Sequence, residues 1–261
     1  MESRMISITN TKVAGFTPRW TAFRGFSILW DNPGQGLVRS GQRLDLACDI
    51  HADAELHFYK TLHDSLTALD VNLLTNTYLF CPLPPPSFHV TLWDGGNDGN
   101  IARVLPPQSS PLQDFLTGLP DSILTPNPIT GVPAASSLVT KRDWNVRFHF
   151  ESVQKWSNFV LAAYLTPADE ASASAVAEIS EERRRLNAQY KEVYGISFSE
   201  NYVPHISLGY FANKEHAQLA TPCLPDWNRL FAERMQGQTL TFQRASLYGF
   251  TDMATFFKTA H

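Results

Sequence analysis

Two short apolar segments constrain this chain most. Pro85-Pro86-Ser87-Phe88-His89-Val90-Thr91-Leu92-Trp93 and Tyr202-Val203-Pro204-His205-Ile206-Ser207-Leu208-Gly209-Tyr210 each carry a histidine followed, two positions on, by a hydroxyl residue. Alternate residues of a strand point to one face. His89 therefore shares a face with Thr91, and His205 with Ser207. The opposite faces carry Phe88, Val90 and Leu92 in one segment and Ile206 and Leu208 in the other. Each strand has one apolar side to bury and one side with an imidazole beside a hydroxyl. The pair reads as two halves of a single active site.

The chain of 261 residues is long enough for a large core, and its formal net charge is -4. No run of Lys or Arg stands out. That argues against a grip on long duplex nucleic acid, although a nucleotide or a short RNA end remains open. No apolar stretch has the length of a membrane span. The opening Met1-Glu2-Ser3-Arg4-Met5 lacks the regions of a secretory signal. Cys48, Cys81 and Cys223 are sparse and odd in number, which fits reduced thiols in the cytoplasm better than a disulfide framework or a zinc site.

Along the chain, residues 1–35 read as an irregular lead-in. Leu37-Val38 and Leu44 to Ile50 read as strand pieces, and Asp53 as the cap of a helix whose stripe is Leu56, Tyr59, Leu62, Leu66 and Leu69. Asn72 to Phe80 then returns as extended chain, and the prolines from Pro82 to Pro86 form a stiff approach to the first histidine strand. Ser110-Pro111 starts a helix. Asp121 to Ser137, with three prolines and no period, reads as a crossing connection. Trp144 to Glu151 alternates as a half-buried strand. Phe159 to Leu165 is apolar, and Thr166-Pro167 reads as the start of a long helix that Gly195 stops. Asn213 caps a short helix, and Pro225-Asp226 opens another. Thr239 to Gly249 reads as a last strand, followed by a tail.

This order suggests an architectural repeat: helix, connection, histidine strand, short helix and later strand, twice. The expected fold is α+β and bilobal, a single domain over 1–261. Two pseudo-symmetric antiparallel sheets face a central cleft, with helices outside. Lobe one is expected at about 36–140 and lobe two at about 141–261.

Two H-x-[ST] strands with apolar flanks, here Phe88-His89-Val90-Thr91-Leu92 and Pro204-His205-Ile206-Ser207-Leu208, resemble the 2H phosphoesterase superfamily over roughly residues 40–255. That group includes RNA 2',3'-cyclic phosphodiesterases and RNA-ligase-like phosphoesterases. The bare tripeptide is weak, since His63-Asp64-Ser65 matches it inside a helical pattern. Strand context and one copy per half distinguish the other two. The resemblance implies metal-independent hydrolysis of a 2',3'-cyclic or related cyclic phosphate, on a nucleotide or RNA end, with no cofactor.

The residue types suit that chemistry. Imidazole titrates near neutrality, so one ring can take a proton from water while the other gives one to a leaving ribose oxygen. Thr91 and Ser207 can donate hydrogen bonds to the non-bridging oxygens. Further substrate contacts are expected from Trp93, which has cleft parity and can stack a base or pack under the Gly-rich loop that follows. Tyr202 and Tyr210 flank the second motif with core parity and reach the cleft only where the strand ends. Arg147 and Arg244 sit on strands that can border the site. Gly209 has cleft parity and leaves room for substrate, unless a bulge intervenes. His51, His57, His149 and His216 read as surface or packing residues, His149 being the one that can approach the cleft. The alternatives are a nucleotide-binding module without turnover and a metal-dependent hydrolase with His89 and His205 as ligands. The expected state is a monomer without membrane contact.

Overall fold

The computed structural model describes residues 7–15, 19–33, 37–46, 50–51, 54–70, 72–156 and 159–260. The expected positions of Asp53 and Cys48 lie outside the described residues. The fold is α+β, built on two antiparallel sheets. The first contains β1 (Gly25–Trp30), β2 (Leu37–Ser40), β3 (Arg43–Leu46), β5 (Thr91–Asn97), β10 (Ala245–Phe250) and β11 (Phe256–Thr259), in the order β2-β3-β11-β10-β1-β5. The second contains β4 (Phe80–Pro82), β6 (Val146–Trp156), β7 (Val160–Pro167), β8 (His205–Phe211) and β9 (Leu240–Phe242), in the order β4-β8-β7-β6-β9.

The two sheets do not follow the division expected at about residue 140. β1 comes from the segment read as an irregular lead-in, yet all six of its residues are buried and it lies between β10 and β5. β10 and β11, from the end of the chain, complete the same sheet, while β4 belongs to the other. Gly-Phe-Ser-Ile-Leu-Trp has no clean alternation because its strand is covered on both faces. That is why the period-two signal missed it.

Helices follow their stripes. α1 (His57–Thr67) buries Phe58, Tyr59, Leu62 and Leu66. α2 is Ser109–Thr117. The connection expected without structure holds three short helices, α3 (Asp121–Leu124), α4 (Pro128–Ala135) and α5 (Ser137–Thr140). The Asn127 side chain starts α4 by accepting a hydrogen bond from the Ile129 amide at 2.9 Å. α6 (Glu170–Tyr194) begins three residues later than Thr166-Pro167 suggested. Those two residues stay in β7, and Asp169 caps the helix by accepting from the Ser172 amide at 2.7 Å. Gly195 ends it at φ 72°, the left-handed conformation glycine adopts without strain. α7 is Lys214–Leu219, capped by Asn213, and α8 is Leu224–Met235. α6 packs against β5, β6 and β7, touching both sheets, and α8 packs against β6 and α1.

Candidate active site

The two histidine segments meet directly. Val90 and Ile206 form an antiparallel bridge between the sheets. In that register His89 lies across from Ser207, and Thr91 across from His205. All four residues line one cavity of about 310 Å³. One wall is β1, β5, β10 and β11, and the other is β6 to β8.

Both rings are held the same way. His89 Nδ1 is 2.7 Å from the Ser87 carbonyl oxygen, and His205 Nδ1 is 2.9 Å from that of Val203. A carbonyl only accepts, so Nδ1 carries the proton in each ring and Nε2 keeps its lone pair. The Ser87 carbonyl is presented by the turn Pro85–Ser87, where proline-fixed φ angles set the approach of the chain. His205 stacks on Trp156 with centroids 4.5 Å apart and planes 18° from parallel. His89 leans on Phe256 at 4.4 Å and 51°.

Burial dominates the proton affinities. It pushes His89 down to about 4; the Ser87 hydrogen bond opposes this, the nearby His205 adds to it, and Asp94 opposes it. His205 is also lowered, first by burial, against the Val203 hydrogen bond and Asp94. Both imidazoles are thus biased toward the neutral form. Lys12 and Arg183 bring positive charge to the lining, and Asp94 brings negative charge. Arg183 is buried on α6, donates to the Leu92 and Ser199 carbonyls and lies over the Tyr202 ring at 5.1 Å.

The remaining expected contacts divide. Tyr202 and Tyr210 line the cavity. The Tyr202 hydroxyl is buried beside the Trp30 indole with no well-formed hydrogen bond among the described residues, and burial raises its pKa. Tyr210 donates to Met253 Sδ at 3.4 Å. Trp93 does not reach the cavity. It is fully buried, its Nε1 donates to Asn187 Oδ1 at 3.0 Å, and its ring packs against Tyr190 and Phe198. Arg147 is half exposed and pairs with Asp169 at 3.4 Å, away from the lining. Arg244 lines a different cavity. His149 Nδ1 donates to the Gln238 carbonyl at 2.9 Å and lines a third hollow.

β-bulges explain the parity errors. Against β1, Leu29 pairs with Thr91 but Ile28 pairs with Trp93, so Leu92 is an extra residue. Against β7, Ala162 pairs with Ser207 but Leu161 pairs with Gly209, so Leu208 is an extra residue. Each bulge turns the next cavity-facing residue from the second after the hydroxyl into the third. Asp94 replaces Trp93, and Tyr210 replaces Gly209. The two motifs therefore present the same series, His89, Thr91, Asp94 and His205, Ser207, Tyr210. Gly209 faces β4 instead, where an added Cβ would crowd the Phe80 ring and lie 2.5 Å from the Cys81 carbonyl oxygen.

Lys12, Asp94, Trp156 and Arg183 were not anticipated. Asp94 was hidden by the bulge, and Trp156 by ending β6 too early at Glu151. Arg183 sat unmarked among the charges of α6. Lys12 lay in the segment read as a lead-in.

Among the described residues, no three of His, Cys, Asp and Glu group as metal ligands, and no helix is long and apolar enough to cross a membrane. Neither a protein-family model nor a curated protein matches the chain. The fold is similar to the crystal structure of a conserved protein of unknown function from Agrobacterium tumefaciens str. C58. The TM-score is 0.50 at 15% identity, over 96% of this chain and 90% of that one. At that identity the likeness is one of fold.

Proposed function

We propose that the protein is a phosphoesterase that opens a cyclic phosphate, of the 2',3' type or related, on a nucleotide or RNA end by two-histidine acid–base catalysis. The observation that carries this reading is the antiparallel bridge at Val90 and Ile206. It sets two imidazoles with matching tautomers, each opposite the other motif's hydroxyl, around one small cavity.

In the hydrolytic step, water oxygen bonds to phosphorus while the bond from phosphorus to one ribose oxygen breaks. A neutral imidazole takes the proton from water at Nε2, and a protonated one gives its Nε2 proton to the departing ribose oxygen. Thr91 and Ser207 donate to the non-bridging oxygens, and Lys12 and Arg183 offset their charge. Burial makes His89 a poor holder of protons, which suits the base. Burial lowers His205 too, but the flat indole of Trp156 opposes this by stabilising an imidazolium there, which suits the acid. Entry of an anion raises the proton affinity of both rings and charges the acid only when substrate is present.

The test is turnover of 2',3'-cyclic nucleotides by the full chain with chelator present. Turnover that His89→Asn and His205→Asn each abolish supports the reading. Binding without turnover favours a nucleotide-binding module, and loss on chelation favours a metal-dependent hydrolase.

A further inference from the structure

The face of the first sheet that carries the histidine cavity continues to a second one. Ser246, Tyr248 and Phe250 alternate onto one side of β10, and Phe256 and Lys258 share a side of β11; Phe250 pairs with Phe256. The Phe250 and Phe256 end borders the histidine cavity. The Ser246 and Lys258 end borders a cavity of about 870 Å³. Fully buried Tyr248 lies between them along β10, and none of the described residues lines both.

Lys258 is the built element of this second cavity. It is only 8% exposed. Its Nζ donates to Asp31 Oδ1 at 2.8 Å and to Ser246 Oγ at 2.9 Å. An ammonium has three donors, so one is left over. Asp31 is already committed, since it also accepts from Ser246 Oγ at 3.0 Å and Tyr248 OH at 2.9 Å. Two further cations, Arg142 and Arg244, line the same cavity, close enough to act electrostatically on Lys258. Among the described residues, neither guanidinium has an ion pair. The chain as a whole is acidic, so three cations against two carboxylates, the saturated Asp31 and the exposed Glu55, are a local reversal of sign. Such crowding is unfavourable until an anion offsets it.

We propose that this cavity binds a small phosphorylated molecule, with Arg142 and Arg244 gripping the phosphate oxygens and Lys258 completing the contact. A guanidinium fork matches phosphate oxygens two at a time. The volume is that of small-ligand sites, and a cavity between elements suits a compact ligand rather than a polymer. Gln238 adds a buried acceptor without a partner among the described residues, for the non-phosphate part. This inference is independent of the phosphoesterase reading.

The experiment is calorimetric titration of the full chain with inorganic pyrophosphate at low salt. Arg142 and Arg244 are exposed, so R142Q/R244Q is expected to fold like the wild type, with thermal melting as the check. Saturable binding that weakens at least tenfold in R142Q/R244Q and persists in H205N supports the site. R184Q/R185Q makes the same change of charge on α6 and is expected to bind like the wild type. No binding by the wild type overturns the proposal. So does full binding by R142Q/R244Q, loss in H205N alone, or equal weakening in R184Q/R185Q. Binding of a short oligonucleotide where pyrophosphate fails overturns the small-molecule assignment.

Discussion

Trp156 lies flat on His205, 4.5 Å between centroids and 18° from parallel. An aromatic face attracts a cation, and the contact strengthens when the ring beneath it is protonated. The stack thus works with Asp94 against the burial that lowers the proton affinity of His205. Replacing Trp156 by Leu keeps bulk but removes the π-face. Turnover of a cyclic nucleotide is expected to fall about tenfold, the equivalent of roughly 1.4 kcal/mol within the range of a desolvated cation–π contact. W156F is expected to keep most of the rate. Equal losses in both variants would mean that the indole only fills space.

His89 links burial to acid stability. Its pKa is lowered from 6.5 to about 4 in the folded protein. Below pH 6.5 the unfolded chain takes up a proton that the folded one refuses, so stability falls as the pH drops. The loss begins near 6.5, is complete near 4, and amounts to roughly 3 kcal/mol for this one group. Urea unfolding of the wild type across that window is expected to show the slope, and H89N is expected to show a shallower one. In the same variant turnover is expected to drop by about 10²–10⁴, the range for a lost acid–base group. A wild-type stability that is flat from pH 6.5 to 4 would contradict the burial of a neutral ring.

Asp94 acts on both histidines, raising the proton affinity of each against the effect of burial. Because both rings are lowered in the free protein, the maximum of kcat/KM is expected on the acid side of pH 6.5. Asp94→Asn removes the opposing charge. Both limbs of the bell are then expected to slide to lower pH, since base and acid each lose proton affinity. KM for an anionic substrate is expected to fall as a negative charge leaves the cavity, while kcat at neutral pH falls by up to about tenfold because less acid is charged. A profile that keeps its position while activity drops would assign Asp94 to structure alone.

The pattern of these residues shows what a chain reveals before it folds. Phe88, Val90, Ile206 and Leu208 repeat with the period of a strand, and the stripe of α1 repeats with that of a helix, so both were legible. The glycine stop at Gly195 was legible because few residues adopt its backbone conformation. β1 was not, since burial on both faces erases alternation. Arg147 had the parity and charge of a phosphate contact, yet Asp169, the cap of α6, holds it. Alternation counts residues, and a bulge inserts one without changing the composition around it. Hence His89, Thr91, His205 and Ser207, which precede the bulges, were placed together, while Trp93 and Gly209, which follow them, were assigned to the wrong side.

Gly209 tests that account. The bulge at Leu208 turns it toward β4, where it pairs with Pro82. An added Cβ there would press on the Phe80 ring and sit 2.5 Å from the Cys81 carbonyl oxygen. Phe80 is fully buried against Phe211, so the ring has no free space to move into. Gly209→Ala is therefore expected to destabilise the protein by about 1–3 kcal/mol, the usual cost of overpacking. Had Gly209 faced the cleft, alanine would leave stability unchanged and raise KM by crowding the substrate. Denaturant midpoints and KM, measured together on G209A, separate the two. A lowered midpoint with KM near wild type fits the bulge, and an unchanged midpoint with a raised KM restores the unbroken strand.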